Sequence, residues 1–219
     1  MQSARIAIRS PAQAIEVNSV LRSTYLLLSA TIGFSAVCAT VAIYARLPFM
    51  NPLLYFAGII GLSIVVHMTA RSVWGLFWTF VYTGFLGVAL GPIVSIYLSI
   101  NPMIVAQALA LTAATFVGLS LYTIVRRTDF SWLGQFITVS IVVIVGIIIM
   151  SFFVNLTPFA LMISGFMVIV ACAMILWQTS QIVLGGERNY IIATVTLFTS
   201  IYILFINLLQ IIGIFGGDD

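Results

Sequence analysis

The chain has 219 residues, 63% of them hydrophobic and 6% charged, with a mean hydropathy of +1.25 and a net charge of +3. A water-soluble domain carries about 25% charged residues, so a soluble fold is excluded; several membrane spans fit this length, but a separate soluble domain beside them does not. The positive charge comes from arginine alone, with no lysine in the chain, and is too small to suggest a nucleic-acid partner.

The chain opens with its longest non-hydrophobic stretch, Met1 to Arg22. It holds Arg5 and Arg9 but no continuous apolar core, because Glu16 and Asn18 interrupt it, so it reads neither as a secretory signal nor as a segment with a strong fold signal. Seven stretches then meet the ~20 mostly apolar residues that a span requires: Ser23 to Tyr44, Pro52 to Met68, Trp74 to Leu98, Met103 to Val125, Trp132 to Val154, Phe159 to Trp177, and Ile191 to Phe215. The second is the shortest. The breaks carry turn chemistry at Pro48 to Pro52, Asn101-Pro102, Asn155 to Pro158 and Gly185-Gly186. All the loops are short, which points to one antiparallel all-helical membrane bundle with a short C-terminal end, residues 216–219.

Within the spans, three features stand out. In the third, Gly84, Gly87 and Gly91 share a face, and Gly87-x-x-x-Gly91 lets another helix approach the backbone closely. Pro92 follows, so a kink, break or hinge is expected there. The sixth runs into Gln178-Thr179-Ser180-Gln181, where Gln178 and Gln181 lie three apart on one face. The seventh carries Thr196, Ser200, Asn207 and Gln210 within about 40° of one face, an uncharged polar stripe on an otherwise apolar helix. Such a helix belongs inside a bundle, with its stripe against partners or lining a polar path. Gln178 and Ser200 can face each other only if the sixth helix continues to about Leu184.

Charge fixes the expected orientation. With seven spans, the N-terminus and the second, fourth and sixth loops share a side, and that side holds Arg5, Arg9, Arg22, Arg71, Arg126, Arg127 and Arg188. The other side holds Arg46 and ends in Asp218-Asp219. This bias predicts a cytoplasmic N-terminus and an external C-terminus. Trp74, Trp132 and Trp177 all lie at the arginine-rich ends of their spans, as interface anchors do.

No span interior contains Asp, Glu, Lys or Arg, whereas ion pumps and proton-coupled carriers bury such groups. His67, the sole histidine, stands one turn before Arg71 at a helix end. Cys38 and Cys172 sit apart in apolar runs, with no metal or disulfide spacing. There is no metalloprotease motif, nucleophile–base pair or glycine-rich phosphate loop, so neither catalysis nor a cofactor or metal site is expected.

Several motifs carry a family likeness: Leu21-Arg22-Ser23-Thr24-Tyr25, Tyr82 to Gly87 with Gly91-Pro92, Phe130-Ser131-Trp132-Leu133-Gly134, Gln178 to Ile182, and Gly185-Gly186-Glu187-Arg188-Asn189-Tyr190-Ile191. In order and spacing over nearly the whole chain, they resemble the Bax-inhibitor (TMBIM) membrane family, in its bacterial YccA-like branch. The resemblance implies a seven-helix bundle with the last helix at the centre and the other six around it. It implies one of two roles, a pH-sensitive calcium leak channel or a modulator of the membrane protease FtsH in the bacterial inner membrane. Channel-like members carry an acidic pair on helices six and seven, and the matching positions here are Gln178 and Ser200, which do not titrate. Calcium favours several hard, charged oxygen ligands, so the departure weighs towards the protease role, with Met1 to Arg22 as the handle. A cation leak lined by Gln178, Gln181 and the stripe of the last helix is the alternative. A small-solute carrier, which would show internal repeats, comes third.

Overall fold

A computed structural model describes residues 11–151 and 153–216. Among these residues every regular element is helical: α1 (Pro11–Tyr44), α2 (Pro52–Thr69), α3 (Val73–Ile100), α4 (Pro102–Arg126), α5 (Leu133–Ser151), a 3-10 turn (Thr157–Phe159), α6 (Ala160–Leu184) and α7 (Tyr190–Phe215). All seven α-helices are long and apolar enough to cross a membrane, and the chain is an all-α integral membrane protein. Arg5, Arg9 and Asp218-Asp219 lie outside the described residues.

The turns use one repeated device. Asn51 and Asn101 each accept a hydrogen bond from a main-chain N–H two residues on, Leu53 and Met103, both at 2.9 Å. Each is followed by a proline in the first helical position, where its missing N–H costs nothing. At the end of α6, Gly185 takes φ +76°, and Gly186 N–H closes onto the Gln181 carbonyl at 2.8 Å. That left-handed stop strains any side-chain-bearing residue, which is why a glycine stands there.

Two helices outrun their sequence-predicted bounds. Residues 11–22 do not form a tail without structure: they are the first three turns of α1, which at 1.5 Å per residue is about 50 Å long, well beyond the ~30 Å of bilayer hydrocarbon. Glu16 and Asn18 interrupt hydrophobicity without interrupting helicity. Val20 and Leu21 pack on the main core, Val17 lies against Gly185, and Glu16 pairs with Arg188 at 3.7 Å across to the α6–α7 turn. Likewise α6 continues past Trp177 to Leu184, because Thr179 and Ser180 are buried against neighbouring segments and do not face solvent.

The last helix is central. Two-thirds of its span is buried, against at most one-third in any other. It touches α1, α2, α3, α4 and α6. The ring is five helices and not six, for α5 contacts α6 alone. Leu133 and Ile137 of α5 pack on Ala173, and the Trp177 indole lies over Gly134.

The tightest seam joins α1 to α3. Gly84 faces Phe34, Gly87 abuts the Ser35 carbonyl, and Gly91 meets Ala42 and the Ala39 carbonyl. Pro92 does not break α3, which runs unbroken from Val73 to Ile100.

Candidate polar site between the last two helices

The stripe of α7 runs beside the face turned towards α6. On that face Ile203, Leu204 and Leu208 pack with Ala171, Ile175 and Cys172 of α6. One stripe residue ties to α6 and two turn back onto α7 itself. Gln210 accepts a hydrogen bond from the Ser164 hydroxyl of α6 at 2.9 Å, a direct interhelical tie. The Asn207 amide donates to the Ile203 carbonyl at 2.7 Å. The Ser200 hydroxyl, fully buried, donates to the Thr196 carbonyl at 2.8 Å. Thr196 itself is half-buried.

Gln178 and Gln181 part company. Gln181 turns to the α4–α5 loop: its amide donates to the Ser131 hydroxyl at 3.3 Å. That hydroxyl in turn donates to Asp129 at 2.6 Å. Together with the Ser131 main-chain N–H, at 2.8 Å, it holds the Asp129 carboxyl below its ordinary pKa. Next to Gln181, the Ser180 hydroxyl bridges the Thr128 carbonyl and Phe130 N–H, both at 3.0 Å, pinning the same loop.

Gln178 instead points inward, 2% exposed, and its amide nitrogen has no hydrogen-bond partner within the chain. Next to it in sequence, Thr179 of α6 meets the Tyr25 hydroxyl of α1, which Ser120 of α4 also approaches, a polar cluster joining three helices. Tyr25 reaches across to α4, its ring 6.0 Å from that of Phe116. An unpaired buried amide costs about 1–3 kcal/mol, and an apolar group of similar shape does not. Gln178→Met is therefore expected to raise the thermal midpoint in detergent. An equal or lower midpoint would mean that the amide is paired in the membrane.

Other polar ties of α7 escaped the sequence reading. Tyr82 of α3 shares a 2.8 Å hydrogen bond with Thr199, and Tyr55 of α2 one of 3.1 Å with Tyr202. Asn189 caps α7 by accepting from Ile191 N–H at 2.9 Å and Ile192 N–H at 3.4 Å, and its own amide donates to the Ala70 carbonyl at 2.9 Å. The available signal was tyrosine deep in an apolar run, since buried Tyr hydroxyls seek partners. Among the described residues, no three His, Cys, Asp or Glu side chains come together as a metal site.

Residues 17–217 match the family described as inhibitor of apoptosis-promoting Bax1. An uncharacterized protein of Pseudomonas aeruginosa is 46% identical over 210 residues, covering 95% of each chain. A protein of Escherichia coli K12 named modulator of FtsH protease YccA is 39% identical over 205 residues, covering 93% of this chain and 94% of its own. A protein of Escherichia coli O6:H1 named inner membrane protein YccA shows the same identity and coverage.

Proposed function

The chain belongs to the Bax-inhibitor family, and from that premise we propose that it is a non-enzymatic inner-membrane protein that modulates an FtsH-type membrane protease. The observation that carries this reading is the 39% identity, over nearly the full length of both chains, to a relative named for that activity. The absence of charged residues from every span interior supports it against pump or carrier chemistry. So does the pair Gln178 and Ser200, which offers no carboxylate to calcium or to a proton switch.

In this reading the protease engages the segment ahead of α1. An unfolding enzyme needs an accessible end, and from Pro11 onwards the chain is helical and tied to the α6–α7 turn by Glu16–Arg188 and Val17. The candidate handle is then the part of the Met1 to Arg22 segment that precedes the tied residues Glu16 and Val17. Deleting residues 1–10 is expected to lengthen the cellular lifetime several-fold in cells that contain the protease, and the thermal midpoint measured beside it separates loss of the handle from loss of folding. A chase experiment in which both chains decay at one rate would remove this segment from the mechanism.

In this reading the handle lies in the cytoplasm, the side that the seven-to-one arginine bias predicts. A cytoplasm-active reporter fused after Asp219 is expected to be silent, and an exported-type reporter at the same point active. The reverse pattern would invert the topology.

A further inference from the structure

Between α1 and α4 the ring around α7 is open. These two helices do not come within backbone contact of each other anywhere along their described lengths. In the half of the bundle nearest the α1–α2 and α3–α4 turns, the gap becomes a groove of about 330 Å³. Ala36 and Ala39 of α1 form one wall, Val105 and Leu109 of α4 the other, and Val94 of α3 closes one end. The floor is α7 itself, through Ile201 and Phe205. Towards the other half of the bundle, the Tyr25–Phe116 ring pair bridges the same two helices.

The chemistry of the lining selects its occupant. The hydroxyls of Thr40 and Thr112 donate to their own helices, at 2.8 Å to Ala36 and 2.7 Å to Ala108, and the Tyr202 hydroxyl is engaged with Tyr55. The Ser35 hydroxyl lies close against Gly87. The rest of the lining is hydrocarbon or aromatic, so water or a polar solute entering here would give up hydrogen bonds without replacement. The rims, Ile32 and Leu109, are 39% and 55% exposed on the outer surface of a membrane-spanning bundle. The groove is thus continuous with the lipid boundary and opens sideways into it. A groove of this size sits at the small end of ligand sites, about 300–1,000 Å³.

We propose that this groove is a binding site for one acyl chain of a membrane phospholipid, which enters between α1 and α4 and lies directly on the central helix. The chain contacts Ile201 and Phe205 and completes the packing of α7 where the ring of helices leaves it uncovered. The site is independent of the polar seam with α6, which occupies the other side of α7.

The test is photolabelling of the purified protein in vesicles of phosphatidylethanolamine and phosphatidylglycerol, with a trace of phospholipid carrying a diazirine in mid-chain. Labels are located by peptide mass spectrometry. The expected result is labelling of α7 at Ile201 to Phe205, comparable to that of the lipid-facing Val142 on α5, although α7 is the most buried helix. Ala36→Phe and Leu109→Trp fill the groove from exposed positions on its two walls, without disturbing buried packing. Each is expected to lower labelling of α7 several-fold and to leave α5 labelling unchanged. An unlabelled α7 beside a labelled α5 would overturn the proposal, as would α7 labelling indifferent to both substitutions. Competition by unlabelled oleate but not by unlabelled phospholipid would overturn the choice of a phospholipid chain.

Discussion

Replacing Gly87 by leucine is expected to leave little folded protein. A side chain at this position would run into the Ser35 backbone carbonyl. Backbone cannot step aside as the end of a flexible side chain can, so relief requires moving α1 off α3. Overpacking a close-packed core costs about 1–3 kcal/mol, and more when backbone must move. That is a large share of the roughly 5–15 kcal/mol by which a native protein is stable. In a lipid solvent no hydrophobic gain between helices offsets the lost contact, because close packing is itself the main attraction. Gly118→Leu is the control, since a Cβ there meets nothing within 4 Å. The measurement is yield of monodisperse protein and thermal midpoint in detergent. Gly87→Leu melting alongside the native chain would show that α1 and α3 do not approach as described.

The second large effect is expected at Asn189. Its side chain caps two N–H groups of the central helix and ties the α6–α7 turn to the α2–α3 turn through Ala70. Loss of an N-cap costs about 1 kcal/mol and loss of a partnered interhelical hydrogen bond about another. Asn189→Ala is therefore expected to destabilise the bundle by about 2 kcal/mol. Asn189→Asp keeps the acceptor for the cap and loses only the donor to Ala70, so its midpoint is expected to fall between the two. An alanine variant no less stable than the aspartate variant would mean that the cap contributes nothing and only the tie matters.

These two residues mark the limits of what could be read from the chain. The α1–α3 seam was half legible: three glycines on one face announced a close approach, but not that α1 was the helix approaching. The stripe of α7 announced an interior helix, and α7 is the most buried. Its partners were not legible, because Ser164, Tyr82 and Tyr55 lie at sequence separations of 46, 117 and 147 residues from the groups they meet, with no local spacing to connect them. The extension of α1 was missed for a different reason. Hydropathy marks where lipid ends, whereas a helix needs only one packed side to continue, and Val17, Val20 and Leu21 provide it. In the same way Trp177 marked an interface without marking the end of α6.

The isolation of α5 bears on how the protein would come apart under force. Every other helix shares its contacts among at least two neighbours, whereas α5 leans on α6 and is otherwise moored by the loop that Ser180 and Gln181 hold. A machine hauling on the α1 end loads the seam with α3 and the core beneath it at once, so resistance is met at the first step and rises together across the bundle. Traction applied through α5 would instead peel away one helix at a time, starting with the two mooring side chains. On these contacts the bundle is expected to resist traction unequally, more at the α1 end than at the α5 flank.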